Sequence, residues 1–108
     1  MMSAVQKHDV FQAIADPTRR KILMLLAKQD LSVTAISDQF PITRTAVSKH
    51  LRILSESNLV GMTKTGREKI YKLHPETFTE IKDWLSYFDQ FWDNKLSMLK
   101  YLVEEQEK

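Results

Sequence analysis

The stretch "PITRTAVSKHLRILSESNLV", residues 41–60, decides the fold prediction because it sets a regular apolar spacing among cations and small hydroxyl residues. Val47, Leu51 and Leu54 follow the i, i+4, i+7 spacing of a helix that buries one stripe. Thr43 precedes this spacing and is a suitable N-cap, because its hydroxyl can accept from an unpaired amide of the first turn. The stretch therefore predicts a helix that starts after Thr43 and turns its polar side chains away from the core.

Three shorter segments upstream also have helical spacing. "VFQAIA" (10–15) predicts a short amphipathic helix, and Asp16 is placed to cap the helix "PTRRKILMLLAK" (17–28) that follows it. Ser32 is a candidate cap for "VTAISDQF" (33–40), which ends before a proline that disfavours helix in the preceding residue. The break between this helix and the next one is therefore short.

Downstream of the opening stretch the period changes. Asn58 tolerates the left-handed conformation and is predicted to end the helix. "LVGMTKTGREKIYKL" (59–73) then carries two short β-type runs around "TGR", which predicts a hairpin with a basic tip. After Pro75 the helical spacing returns, and Thr77 with Glu80 has the spacing of a capping box. The predicted fold class is mainly α with a small β-hairpin.

Length, composition and charge narrow the class of protein. A chain of 108 residues, 43% hydrophobic and 28% charged, predicts one globular domain covering residues 1–108. The chain has no cysteine, which excludes a disulfide, a thiolate nucleophile and a cysteine-ligated zinc site. It has no signal-peptide pattern and no apolar run long enough to span a membrane, so we expect a cytoplasmic protein.

The charge is divided unevenly along the chain. Residues 1–74 hold 12 Lys/Arg and 6 Asp/Glu, whereas residues 75–108 hold 4 Lys/Arg and 8 Asp/Glu. The window 41–72 alone holds 7 Lys/Arg and 2 Asp/Glu. A basic region of this kind is typical of a surface that binds a polyanion.

The order helix, short break, helix and basic hairpin is typical of a winged helix-turn-helix, in which the second helix enters the DNA major groove. If the apolar stripe faces inward, the residues that face outward are Arg44, Thr45, Ser48, Lys49 and Arg52. At the hairpin tip, Lys64, Gly66 and Arg67 are placed to reach a flanking phosphate or the minor groove. The sequence therefore predicts binding to double-stranded DNA.

The motifs "ADPTRRKILMLL", "TAVSKHLRIL" and "NLV…GREKIYKL" resemble the ArsR/SmtB family of bacterial winged-helix repressors, from about residue 9 to the end of the chain. The resemblance implies a homodimer that binds an inverted-repeat operator and leaves it when an effector binds. It divides the chain into a helix-turn-helix and wing (16–74) and dimerisation helices (5–15 and 75–106). It also implies these DNA contacts: Arg44, Thr45, Ser48, Lys49, His50, Arg52, Lys64, Arg67 and Lys69. Many family members have glycine where Asn58 stands.

The C-terminal segment carries an apolar seam, which runs through Phe78, Ile81, Leu85, Phe88, Trp92, Leu96, Leu99 and Val103. Its spacing is that of heptads with one four-residue insertion, and a second aromatic set widens it. We predict that a second copy covers this seam, with the first helix joining the interface. The predicted dimer residues are Val10, Phe11, Ile14, Leu85, Phe88, Trp92, Leu96, Leu99 and Val103.

Other interpretations of this segment remain open at this point. It could fold back on its own domain as a core helix, or line a ligand groove with Trp84, Phe88 and Trp92. A membrane-surface helix is disfavoured because its polar face is acidic and anionic lipid would repel it. The winged fold could also serve as a protein-interaction module that uses the aromatic C-terminal helix.

No metal site, cofactor or enzymatic site is predicted. The three histidines (His8, His50 and His74) lie far apart, and the aspartates of the C-terminal helix, Asp83, Asp89 and Asp93, are read as a solvated face. Ser48 and His50 stand two apart on a helix and point away from each other, which excludes a nucleophile–base pair. His50 itself has two open roles, phosphate contact or intramolecular packing. Three alternatives stay open for the effector: a small molecule, a partner protein, or no effector at all.

Overall fold

The structure is a computed structural model, and it describes residues 9–91 and 102–104 of the chain. By its internal contacts the chain divides into two units, residues 1–78 and 79–108. The elements of the first unit are α1 (Val10–Ala13), α2 (Pro17–Lys28), β1 (Leu31–Ser32), α3 (Val33–Ser37), α4 (Arg44–Glu56), β2 (Val60–Thr65), β3 (Glu68–Leu73) and a 3₁₀ turn (Pro75–Phe78). The second unit contains α5 (Thr79–Ser86).

The helix starts follow the predicted caps. Asp16, Ser32 and Thr43 each accept a hydrogen bond from the amide three residues later, at 3.0, 3.1 and 3.0 Å respectively. Each bond satisfies one of the amides that a helix leaves unpaired in its first turn. Pro17 occupies the first turn of α2, where its missing amide hydrogen costs nothing. The predicted starts of α2, α3 and α4 are confirmed.

The core of the first unit is the apolar side of α2, α3 and α4. Val47, Leu51 and Leu54, the predicted inward stripe of α4, are each 0% exposed. Leu59 and Val60 extend this core from the end of α4 into β2. The remaining buried apolar residues are Val10, Ala13, Ile22, Leu23, Leu26, Val33 and Ile36.

The end of α4 is a Schellman motif. Asn58 has a φ of 66°, in the left-handed region that its short polar side chain tolerates. The Leu59 amide donates to the Leu54 carbonyl and the Asn58 amide donates to the Ser55 carbonyl, both at 3.0 Å. These two bonds satisfy carbonyls that α4 would otherwise leave open. The prediction that Asn58 ends this helix is confirmed, and the motif turns the chain directly into β2.

The three strands form an antiparallel sheet in the order β1-β3-β2. In the hairpin, Thr65 pairs with Glu68, so the loop is only Gly66 and Arg67. Gly66 has a φ of +62° at the first loop position, which matches a type II′ turn, a turn favoured in tight hairpins. The hairpin is as predicted, but β1, which pairs Leu31 with Tyr71, was not predicted. Partial burial raises the pKa of the Tyr71 hydroxyl above its usual value.

Packing against His74 explains why position 61 is a glycine. A Cβ at this position would lie 2.7 Å from Cε1 of the His74 ring, closer than real Cβ contacts allow. The backbone of the same histidine is held by its amide, which donates to the Leu59 carbonyl at 2.9 Å. The glycine therefore lets the His74 ring lie over the start of the hairpin.

Two predicted helices differ from the observed ones. The helix predicted to reach Phe40 ends at Ser37, and turns follow in which the Gln39 and Phe40 amides donate to carbonyls three residues earlier. The helix predicted from Pro75 onward starts as a 3₁₀ turn, and its first α-helical segment is Thr79–Ser86, with a turn at residues 87–88 and α-helix again at 89–91 and 102–104. The predicted capping box is absent there, because the Thr77 hydroxyl donates to the Asn58 carbonyl at 2.6 Å instead.

The end of α5 has a local cause. The Ser86 hydroxyl donates to the Asp83 carbonyl at 2.6 Å, and the Phe88 amide donates to the Leu85 carbonyl at 2.9 Å. Both bonds compete with the α-helical pattern and tighten the chain into a turn at residues 87–88. The rest of the predicted C-terminal helix falls largely on residues outside those that the structure describes. In the described part of the chain, no helix is long and apolar enough to cross a membrane.

Candidate nucleic-acid interface

The polar face of α4 is accessible as predicted. Arg44, Thr45, Ser48, Lys49 and Arg52 are all exposed, while the apolar stripe on the other side of the helix is fully buried. Burial of that stripe fixes the rotation of α4 about its own axis. The guanidinium, ammonium and hydroxyl groups on the outer face are the donors that contact base edges and phosphates in DNA complexes.

A polar cleft of about 270 Å³ lies between this face and the hairpin. α4 contributes Arg44 and Ser48 to its wall, and the hairpin contributes Arg67 and Lys69 beside Glu68. The start of α3 completes it, with Ser32, Val33 and Thr34. Arg44, Arg67 and Lys69 therefore line the cleft together with the single carboxylate of Glu68, and the cleft has the size and charge to take a phosphate.

Ser32 and Thr34 were missed as candidate site residues, because the sequence pattern assigned this segment to a helix cap and a core stripe. Ser32 does cap α3, through its bond to the Ala35 amide. Thr34 lies on the exposed side of the helix. A usable signal existed: the first helix of a helix-turn-helix lies across the DNA backbone, so hydroxyls at its start are candidate phosphate contacts.

The hairpin brings two lysines directly opposite each other. Lys64 on β2 pairs with Lys69 on β3, and the neighbouring pair is Thr65 with Glu68. Directly opposed residues of an antiparallel pair point to the same face, and two like charges there destabilise the hairpin. An anion bound at that face would relieve the repulsion. Lys64, Arg67 and Lys69, the predicted wing contacts, are all exposed.

Arg52 is exposed but already has a partner. Its Nε lies 3.3 Å from Oε2 of Glu56, one turn further along α4, and its side chain is 73% exposed. Helix pairs at this i,i+4 spacing contribute only about 0.3–0.5 kcal/mol, so the pair would not prevent Arg52 from contacting a phosphate.

His50 differs from the other predicted contacts of α4, because its side chain is only 22% exposed. Its Nδ1 lies 3.3 Å from a terminal guanidinium nitrogen of Arg19 and 4.0 Å from Oδ2 of Asp16. The structure therefore supports the intramolecular role that the sequence left open beside phosphate contact. His50 is turned toward the start of α2.

Asp16 has a pKa below its usual value. The amide of Arg19 donates to its carboxylate, and the guanidinium charge of Arg19 adds to this effect, while partial burial opposes it. A carboxyl with a lowered folded-state pKa stabilises the fold above its unfolded pKa and loses that contribution as the pH falls through the folded value. Asp16 therefore supports this junction at neutral pH.

The two arginines after Pro17 hold the end of α1, a role that sequence reasoning missed. Nε of Arg19 donates to the Ala13 carbonyl at 2.7 Å, and Nη1 of Arg20 donates to the Ile14 carbonyl at 2.8 Å. Both carbonyls belong to the open C-terminal end of the short helix, where cations are favourable. A run of arginines just after a helix break is the sequence signal that could have suggested this.

The predicted dimer residues fall into four groups. Val10 is 1% exposed and belongs to the core of the first unit. Phe11 and Ile14 are half-buried, whereas Leu85, Phe88 and Val103 are 43%, 37% and 47% exposed. The other three predicted dimer residues, Trp92, Leu96 and Leu99, lie outside the described residues.

Within residues 9–91 and 102–104, no group of three or more His, Asp or Glu side chains is arranged to hold a metal ion. Asp83 and Asp89 are exposed. Asp93 lies outside the described residues.

This geometry defines a class of protein. The short helix α3 is followed by α4, which has a buried apolar stripe and a cationic outer face. A basic two-stranded hairpin comes next. This order of elements is the winged helix-turn-helix of DNA-binding proteins.

Comparison with known proteins identifies the family. Residues 16–61 match the model of the bacterial regulatory protein family arsR. The transcriptional repressor SdpR of Bacillus subtilis is 35% identical over 89 residues, which cover 82% of this chain and 99% of that protein. The HTH-type transcriptional regulator Rv2034 of Mycobacterium tuberculosis is 33% identical over 106 residues, covering 97% and 96% of the two chains.

A solved structure of a possible transcriptional regulator for arsenical resistance is 36% identical, with a TM-score of 0.68, and the match covers 85% of this chain and 93% of that one. The chain belongs to the ArsR family, and it is a DNA-binding transcriptional regulator. The members of this family are regulators and not enzymes.

Proposed function

We propose that this protein represses transcription as a homodimer bound to an inverted-repeat operator, with α4 in the major groove. Repression is the activity named for its Bacillus subtilis relative, with which it shares 35% identity. Its site of action would then be the cytoplasm, where bacterial DNA lies. No cofactor enters this proposal, and the effector, if there is one, is left open.

The cleft between α4 and the hairpin is the observation that carries the proposal. With α4 in the major groove, Arg44, Ser48 and Lys49 on its outer face would meet base edges. A phosphate of the flanking backbone would enter the cleft, where Arg67 and Lys69 add charge. The N-terminal end of α4 supports the same orientation, because its dipole favours negative charge.

Dimerisation is supported by the apolar side chains that the second unit leaves exposed. Two copies related by a two-fold axis would present two α4 helices to the DNA, and the operator would have the same symmetry. Half-sites would then lie about 10–10.5 base pairs, or ~34–36 Å, apart, or at multiples of that spacing. The symmetry of the preferred DNA site therefore tests the dimer and the orientation of α4 together.

The test is selection of binding sites from a random-sequence duplex library, at about 50 mM and about 200 mM salt. We expect a palindromic site to be enriched at both salt concentrations, because base contacts survive the loss of phosphate attraction. The control is the Arg44→Ala/Lys49→Ala variant, which should keep its melting temperature and recover no palindrome. Recovery that is salt-sensitive and blind to sequence would sink the operator proposal and favour a protein-interaction role for the winged fold.

The opposed lysines of the hairpin predict effects of opposite sign on stability and on DNA binding. In Lys64→Thr/Lys69→Thr, removal of the repulsion should raise the free energy of unfolding by up to about 1 kcal/mol. The same change should lower the slope of log K against log[salt] by about 1.8 per protomer, because each lost phosphate contact removes about 0.9. Urea unfolding and operator binding across a salt series measure the two effects.

Lys72→Thr is the matched control for the hairpin, because Lys72 is an exposed lysine of the same strand on the opposite face. It should leave the salt slope unchanged. If the double variant keeps the wild-type slope, Lys64 and Lys69 do not touch phosphate. If the double variant is no more stable than wild type, the ammonium groups of Lys64 and Lys69 are too well solvated to repel each other.

A further inference from the structure

The Arg19 guanidinium connects three elements of the first unit. Its Nε donates to the Ala13 carbonyl at 2.7 Å and its Nη2 donates to the Gln12 carbonyl at 3.2 Å, both in the last turn of α1. Its Nη1 lies 3.3 Å from Nδ1 of His50 in α4. The backbone amide of the same arginine donates to Asp16, the cap of α2. One side chain therefore links α1, α2 and the helix that carries the DNA-binding face.

The chemistry of this contact fixes the state of the histidine. A guanidinium is always protonated in proteins and has only donors, so Nδ1 of His50 must accept. The ring is then neutral and carries its proton on Nε2. A protonated ring has no acceptor, so it would lose the bond to Arg19 and set two cations beside each other.

We propose that His50 is a positioning residue for DNA binding and not a phosphate contact. Its neutral ring, bonded to Arg19, holds α4 in place against α2. The inference rests on the operator binding proposed above. The half-burial of the ring supports it, since Lys49 and Arg52 on either side are exposed.

The charged groups that bond or pair with the ring come from one element. Asp16 and Arg19, both at the start of α2, are the ones found beside it in the described part of the chain. The neighbours of His50 one turn away on α4 are Ala46, Val47, Ile53 and Leu54, none of which titrates.

The first test needs no DNA. The ¹⁵N chemical shifts of the His50 ring in the full chain at neutral pH report its tautomer directly. We expect a neutral ring with the proton on Nε2, and loss of this preference in Arg19→Gln. A ring that is protonated, or that carries its proton on Nδ1, would overturn the inference whatever the protein does to DNA.

The second test separates positioning from phosphate contact by operator affinity. His50→Asn keeps an acceptor close to the place of Nδ1, and it should bind within about threefold of wild type. His50→Leu removes the acceptor, and it should bind about tenfold more weakly, as expected for a lost bond to a charged group. Both variants should keep the wild-type salt slope, because neither removes a phosphate contact.

A reduced salt slope in both variants would make His50 a phosphate contact and overturn the inference. Wild-type affinity in His50→Leu would show that the bond to Arg19 does not position α4, and would overturn it too. Melting curves identify a His50→Leu chain that fails to fold, in which case the His50→Asn result and the ring tautomer decide. Failure of the wild-type chain to bind any operator would instead contradict the proposed function.

Discussion

Leu51→Ala is expected to lower the free energy of unfolding by about 3 kcal/mol, within the range of about 2–5 kcal/mol for truncation of a buried leucine. Leu51 is 0% exposed and lies between Val47 and Leu54 in the buried stripe of α4. Removal of the Leu51 side chain beyond Cβ would leave a cavity that neighbouring helices can close only in part. For a chain of this size the melting temperature should fall by roughly 12–24 °C.

Urea unfolding followed by circular dichroism measures this loss, and Met24→Ala is the matched control. Met24 is also an apolar residue of a helix, but it is 68% exposed, so its truncation should change stability by no more than about 0.5 kcal/mol. Equal losses in the two variants would mean that the stripe of α4 is not the packed centre. Operator affinity, corrected for the fraction of Leu51→Ala protein that is unfolded, should change little, because Leu51 points away from the DNA-binding face.

Local chemistry explains why the caps and the hairpin could be predicted. Asp16, Ser32 and Thr43 act through an amide only three residues away, so the sequence alone contains both partners of each bond. Gly66 likewise sets the hairpin loop through its own φ. The outward face of α4 followed from the apolar stripe on its other side. These features depend on neighbours in sequence and on one helical period.

The features that were missed depend on partners far away in sequence. β1 has only the residues Leu31 and Ser32, too few to show any period, and it exists because β3 offers a free edge. The contact between Arg19 and His50 joins positions 31 residues apart. The early end of α5 depends on a serine hydroxyl bonding backward, a choice that helical spacing does not reveal.

The exposed apolar side chains of the second unit predict the other large effect, on dimerisation. Trp84, Leu85, Phe88 and Phe91 are 50%, 43%, 37% and 54% exposed, and the rings of Trp84 and Phe88 meet edge to face at 5.2 Å. Clustered apolar surface of this kind marks an interaction site. We predict that Leu85→Glu weakens the dimer more than a hundredfold, because burial of an unpaired carboxylate costs several kcal/mol.

Sedimentation equilibrium over a range of protein concentrations measures this change, and Gln90→Glu is the matched control. Gln90 is exposed in the same unit, and its replacement adds the same negative charge with almost no change in shape. The control should remain dimeric and bind the palindrome as wild type does, whereas Leu85→Glu should bind half-sites independently and weakly. A Leu85→Glu chain that stays dimeric would remove this apolar surface from the interface. A symmetric operator would then require a two-fold contact made by other residues of the chain.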